Sequence, residues 1–232
     1  MRKYAVIVAG GVGSRSGDEL PKQFHMLCGR PMLWWSLKAF RDSGVSDIMV
    51  VMHPDYISYW KELHSSMPQP ERVPHSVCAG GGSRAESVRF GLAALTPEEG
   101  SLVAVHDAAR PLVTPGMIAR GWDAAEASGG AVPVVPVSDS LRHLEEGGSV
   151  AVRRSEYVAV QTPQVFRAGI LTEANLQPLS PDFTDDASVV ESAGFKVAVF
   201  EGVVENMKVT NPSDFMIAEL LLIRRRDNRQ RD

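Results

Sequence analysis

Cysteine is scarce in this chain. Cys28 and Cys78 are the only two in 232 residues, so a disulfide-stapled scaffold is excluded. No C-x-x-C spacing offers a zinc knuckle or a dithiol pair. Two reduced thiols in a reducing cytoplasm are the expectation. Long apolar runs are also lacking, and no stretch approaches a membrane-spanning helix. The apolar residues from Ala5 to Ala9 follow Arg2 and Lys3, but they break into glycines too soon to form the core of a secretory signal. Neither sign of charge dominates: 24 basic against 28 acidic residues leave a net charge of −4. Nothing in that balance suits a nucleic acid or a membrane surface, so an anionic ligand would have to be met by local cations. The absence of D-x-D weakens a metal-dependent glycosyltransferase reading, and the absence of G-x-S-x-G an α/β-hydrolase. His106 has no His or Glu at ligand spacing, which makes it a core or hydrogen-bonding histidine.

What is present is an ordinary globular composition, 44% hydrophobic and 22% charged, with apolar runs that alternate between two periods. Strands are expected at 4–9, 47–52, 76–79, 102–105 and 131–137. Helices are expected at 32–42, 56–66, from Ser83 to Leu95 and from Pro115 to about 128. Ser83 and Glu86 have the spacing of a capping box. This alternation predicts an α/β fold, Rossmann-like, with a mostly parallel twisted sheet and flanking helices. It breaks at 138–157, where two short extended stretches around Glu145-Glu146-Gly147-Gly148 read as a projecting β-arm. Beyond it, Thr184 is expected to cap a helix with Asp185 and Asp186 in its first turn. Strands are expected at 196–200 and 205–209. A last helix runs from Asn211-Pro212 to 222, and the charged tail from 224 is expected to fray.

The chemistry concentrates first in Val8-Ala9-Gly10-Gly11-Val12-Gly13-Ser14-Arg15-Ser16-Gly17, followed by Pro21-Lys22-Gln23-Phe24. Gly10, Gly11 and Gly13 let backbone N–H groups turn toward an anion, and Arg15 and Lys22 add two cations suited to a polyphosphate. The loop is not a P-loop, because Gly17 precedes Asp18 rather than Lys-Ser/Thr. Pro21 stands where a dinucleotide-fold helix should be under way. In open α/β sheets ligands sit beyond the carboxyl ends of the strands, where this loop lies. Asp107 also follows a strand, placed either to hold Mg²⁺ on substrate phosphates or to cap the next turn. Lys208 reads either as a phosphate contact or as an exposed strand-end lysine. Arg153 and Arg154 read as a solvated edge that discourages aggregation.

Taken in order, Val8-Ala9-Gly10-Gly11-Val12-Gly13-Ser14-Arg15, Pro21-Lys22-Gln23, His106-Asp107-Ala108-Ala109-Arg110-Pro111, Gln161-Thr162-Pro163-Gln164, Thr184-Asp185-Asp186-Ala187-Ser188 and Lys208-Val209-Thr210 resemble the 2-C-methyl-D-erythritol 4-phosphate cytidylyltransferase family over about residues 3 to 220. The resemblance implies a nucleotidyltransferase fold in a single domain over 1–232. It implies transfer from CTP to methylerythritol phosphate with release of pyrophosphate, in the non-mevalonate route to isoprenoids, with Mg²⁺ or another divalent cation. Arg15, Lys22, Asp107 and Lys208 fall at its catalytic positions, Asp107 at the metal. Ala9, Gly10, Gly80, Gly81, Gly82 and Ser87 fall in the cytidine pocket. Arg110, Ser140, Arg154 and Thr184 fall where the sugar phosphate is bound. The family is a homodimer whose arm reaches the neighbouring active site. Ser140 stands where threonine is common, and Gly82 where some members carry an acid. Ribitol 5-phosphate as acceptor, or a silent nucleotide-sugar sensor, are the other readings.

Overall fold

A computed structural model of the chain describes residues 1–11 and 20–229. Strand β1 (Lys3–Ala9) enters the sheet at once, and a single 3₁₀ turn at Lys22–Phe24 follows the glycine loop. Two short strands, β2 (Met26–Leu27) and β3 (Arg30–Pro31), form a small ribbon ahead of α1 (Met32–Asp42). The chain continues through β4 (Asp47–Met52), α2 (Ile57–Ser66), β5 (Ser76–Ala79), α3 (Arg84–Leu95), β6 (Leu102–Asp107), α4 (Pro115–Ser128) and β7 (Gly130–Pro136). The arm carries β8 (Arg142–Glu145) and β9 (Gly148–Ala151). Then come β10 (Val158–Val160), β11 (Gln164–Arg167), α5 (Ala168–Ala174), α6 (Asp186–Ser192), β12 (Ala198–Glu201) and α7 (Pro212–Arg229).

The main sheet runs in the order β10-β7-β11-β6-β1-β4-β5, with β12 also paired to β7. The pairs β1–β4, β1–β6, β4–β5 and β12–β7 are parallel; β11 and β10 run antiparallel to their neighbours. The strands at its centre are apolar on both faces because helices cover both. Along β1, Ala5, Ile7 and Ala9 face a core with Leu33, Leu37, Phe40, Trp60 and Trp122. Tyr4 and Val6 face the opposite core, with Val88, Leu92, Leu171 and Val190. Period two along a strand thus feeds two layers at once.

Several expectations are corrected. Residues 205–209 form no strand. Their polar groups go elsewhere: Val209 N–H donates to Ala109 C=O (2.8 Å), and Asn206 Nδ2 to Thr162 C=O (2.8 Å). Asp185, not Thr184, caps α6, its carboxylate accepting from Ser188 N–H at 2.9 Å. The Ser83 capping box is half formed. Ser83 Oγ accepts from Glu86 N–H, but the Glu86 carboxylate accepts from Gly82 N–H instead of closing on Ser83. Helix α5 stands where no helix was expected, and α7 runs seven residues past 222 to Arg229, with Arg225 Nη1 donating to Leu112 C=O at 2.7 Å in the added turns. The hairpin β8–β9 stands in the expected arm, and Leu144 there is 80% exposed.

Helix α3 approaches the sheet through Gly91. A Cβ there would lie 2.6 Å from Val51 Cγ2 and 2.8 Å from Val6 Cγ1. Gly91→Ala should therefore lower unfolding free energy by about 1–3 kcal/mol despite alanine's better helix propensity. Gly116→Ala, where nothing stands within 4 Å, should be neutral or stabilising by up to about 1 kcal/mol. Urea denaturation of both variants checks the pair, and equal midpoints would contradict the close approach.

Candidate active site

The carboxyl ends of β1, β5 and β6 open into a cavity of about 370 Å³. Ala9, Gly10 and Gly11 form one wall, Gly81, Gly82 and Ser87 another, and Lys22, Asp107 and Lys208 also line it. Gly80 lies just behind, since a Cβ there would meet Ser87 Oγ at 2.9 Å. Ser87 Oγ accepts from Gly81 N–H (3.1 Å) and donates to Ser83 C=O (2.9 Å). The glycine turn is therefore held by the first turn of its own helix. Lys22 is set by its neighbour: buried Gln23 donates from Nε2 to Ala9 C=O at 2.7 Å, tying the 3₁₀ turn to the end of β1. Lys22 Nζ donates to Val209 C=O at 2.8 Å, so two distant segments meet at this wall.

A second cavity of about 250 Å³ adjoins the first, lined by Arg110, Gln161, Thr184 and Asp185 among others. Arg84, Asp107 and Lys208 line both. Asp107 Oδ1 accepts from Arg84 Nε (3.1 Å) and Oδ2 from Lys208 Nζ (2.8 Å). Burial alone would raise the Asp107 pKa, but Arg84 and Lys208 outweigh it and hold the carboxyl well below the usual range. Arg84 in turn gives Nη2 to Asp186 Oδ2 at 2.8 Å. Burial opposes the Arg84 charge, but Asp186 and Asp107 overcome it and raise its pKa. His106 sits beneath, its ring between Thr162 Oγ1 (3.1 Å) and Arg110 C=O (3.2 Å). Burial lowers it to about 4, so it is neutral and structural at pH 7. Burial also lowers Arg110, which gives Nη1 to Asn206 C=O (2.9 Å).

The structure thus gathers Ala9, Gly10, Gly11, Lys22, Gly81, Gly82, Ser87, Asp107 and Lys208 around one cavity, and Arg110 and Thr184 around its neighbour. Ser140 and Arg154 are exposed on the arm segment and line neither cavity. Arg154 donates to Ser138 C=O there. Gly13 and Arg15 lie outside the described residues. Two residues escape sequence reasoning in any role at the site. Arg84 reads there only as part of a cap, yet a cation at the first position of a helix opposes the macrodipole. That anomaly was the available signal. Asp186 reads as a first-turn acid, although Asp185 alone supplies the cap.

Among the described residues no three His, Cys, Asp or Glu side chains gather to hold a metal. Asp107 is the carboxylate shared by both cavities, and each of its oxygens already accepts from a cation. Among the described residues this wall offers one carboxylate, not a metal cage. It fits a divalent ion that arrives with phosphate oxygens and takes one protein carboxylate.

A glycine-walled cavity at the strand ends, with lysines from both ends of the chain beside a shared carboxylate, places this fold among the nucleotidyltransferases. The model of the family described as 2-C-methyl-D-erythritol 4-phosphate cytidylyltransferase (IspD) matches residues 4–224, and the chain belongs to that family. It is 44% identical over 227 residues to the 2-C-methyl-D-erythritol 4-phosphate cytidylyltransferase of Bacteroides thetaiotaomicron, covering 96% of this chain and 100% of the relative. It is 46% identical over 222 residues to that of Porphyromonas gingivalis, covering 95% and 98%. The crystal structure of 2-C-methyl-D-erythritol 4-phosphate cytidylyltransferase from Thermus thermophilus superposes with a TM-score of 0.76 at 35% identity, over 95% of this chain and 98% of that one.

Asp107→Asn leaves Arg84 and Lys208 facing each other across a neutral group. We expect it to lose roughly 1.5–3 kcal/mol of stability at pH 7, the range for hydrogen bonds to charged groups. The folded pKa of Asp107 is depressed, so this contribution is complete above the unfolded pKa near 4 and fades as pH falls below it. Urea titrations of both proteins from pH 7 to pH 3 read it; a gap that widens toward acid would contradict the pairing.

Proposed function

We propose that this chain transfers the cytidylyl group of CTP to the phosphate of 2-C-methyl-D-erythritol 4-phosphate. The products are 4-diphosphocytidyl-2-C-methyl-D-erythritol and pyrophosphate, in the non-mevalonate route to isoprenoids. The observation that carries the reading is the meeting of Lys22 and Lys208, from opposite ends of the sequence, in one cavity with Asp107 between it and a second cavity. The first cavity suits the nucleotide, whose base edge can approach the glycine backbone closely. The second, with Arg110 and Thr184, suits the sugar phosphate.

The acceptor is already a nucleophile at neutral pH, since the second pKa of a phosphate monoester is near 6. No general base is required. A phosphate oxygen attacks the α-phosphorus, and the bond to the bridging oxygen breaks to release pyrophosphate. The obstacle is repulsion between two anions. Lys22 and Arg15 offset charge at the α-phosphate as it crowds, and Lys208 turns toward the phosphates from its half-exposed position. Mg²⁺ bound to the triphosphate would neutralise its oxygens, with Asp107 as its protein ligand.

The arm completes this reading. Leu144, Val150 and Tyr157 are exposed apolar residues along it, a surface suited to a second copy of the chain. A homodimer would let Ser140 and Arg154, absent from both cavities of their own chain, approach the neighbouring sugar phosphate. No described helix is long and apolar enough to cross a membrane, and the two free cysteines suit a reducing cytoplasm.

Pyrophosphate release measured for CTP, UTP and ATP against methylerythritol phosphate and ribitol 5-phosphate tests the assignment. Turnover should be greatest for CTP with methylerythritol phosphate, whereas preference for ribitol 5-phosphate, or no turnover with any pair, would overturn it. Lys22→Ala and Arg15→Ala should each lower kcat by about 10²–10³ with CTP binding largely kept; near-native kcat would remove that residue from its role. Arg154→Ala should raise KM for the sugar phosphate more than for CTP, and equal shifts would argue against the arm's part.

A further inference from the structure

Asp186 is 1% exposed, and nothing in the reaction above touches it. It occupies the first position of α6, as Arg84 does of α3. It is not needed to cap its helix. Asp185 does that with Oδ1 and accepts from Gln164 Nε2 with Oδ2 (2.8 Å). The Asp186 carboxylate instead meets Arg84 Nη2 at 2.8 Å, while Arg84 Nε meets Asp107 Oδ1 at 3.1 Å. One guanidinium is thereby stretched between two carboxylates on two different elements. An arginine with a single carboxylate partner prefers to close on both of its oxygens. Here the second carboxylate prevents that, and Asp107 Oδ2 is left to Lys208 at 2.8 Å.

We infer that Asp186 is a positioning residue for nucleotidyl transfer: it holds Arg84 across the boundary of the two cavities, so that Arg84 takes one oxygen of Asp107 and leaves the other to Lys208. The exposures fit this division. The side chain of Asp186 is 2% exposed, that of Arg84 26%, and that of Lys208 45%. The first two form the fixed frame, and Lys208 is the member with room to exchange Asp107 for a phosphate. Without Asp186, the Arg84 fork closes on Asp107 and displaces Lys208. The inference rests on the cytidylyl-transfer reading above and concerns a residue one step behind the reacting groups.

A double-mutant cycle tests it, using pyrophosphate release with CTP and methylerythritol phosphate at saturation. Asp186→Ala should lower kcat on the order of ten- to a hundredfold, the equivalent of one charge-assisted hydrogen bond. In the Arg84→Met background, which keeps the aliphatic stem, the same change should lower it less than about threefold. A general packing role would give equal losses in both backgrounds; that result, or no loss in the native background, overturns the inference. Should Asp186→Ala not fold, Arg84→Lys decides: an ammonium reaches only one of the two carboxylates, so kcat should fall at least about tenfold, and native kcat would overturn it. A native chain that does not turn over contradicts the activity reading alone. The crystal structure of Asp186→Ala then decides this inference, with Lys208 displaced from Asp107 in support and Arg84 and Lys208 unmoved against.

Discussion

The site depends on one carboxylate held between two unlike cations. Asp107 ends the central strand β6 with both oxygens occupied, one by Arg84 and the other by Lys208. A buried charge survives only if paired, so the folded chain carries its own substitute for the ligand's charges. Arg84 and Lys208 meet the Asp107 carboxylate and the Asp186 carboxyl, whose pKa burial raises, before any substrate enters. That pairing offsets the mutual repulsion of the cations gathered at the site. It also leaves the two lysines beside the glycine turns as groups that can change partners.

The rest of the fold positions this carboxylate. Parallel neighbours on β1 and the antiparallel β11 set the end of β6 in the middle of the sheet. Thr162 fixes the last peptide by accepting from Asp107 N–H (3.0 Å), and Asn206 reaches back to Thr162 C=O. Gln161 gives Nε2 to Val203 C=O at 2.9 Å. The segment 203–209 therefore directs its hydrogen bonds to the site instead of extending the sheet. The result is a lysine delivered next to Asp107 and a carbonyl delivered to Lys22. Helix α3 presents its N-terminus to the same cavity, with Ser83 as cap and Arg84 just inside.

Much of this was legible because short, buried parallel strands announce themselves. The strands at 47–52 and 76–79 and the helix at 32–42 appear with the expected bounds. The glycine clusters at 10–11 and 80–82 pointed to the cavity through the rule that ligands sit at strand ends. What was not legible depended on contacts between distant segments. Glu205-to-Val209 has the composition of a strand, but its groups pair with Thr162, Ala109 and Asp107 instead, and it is a loop. Thr184 and Asp185 are both good caps, and Gln164, reaching from β11 to the Asp185 carboxylate and the Ala187 N–H, helps settle which one serves. Arg84 and Asp186 lie 102 positions apart, a pairing that no local pattern encodes.

The central claim is that one triphosphate displaces internal partners at the Asp107 cluster. A crystal structure of the chain with CTP and Mg²⁺ measures this most directly. The triphosphate should lie between the Gly10–Gly11 and Gly81–Gly82 turns, with Lys208 Nζ moved off Asp107 Oδ2 onto a phosphate oxygen and Arg84 still bridging Asp107 and Asp186. A nucleotide seated elsewhere, or one bound here with the Lys208–Asp107 pair intact, would contradict it.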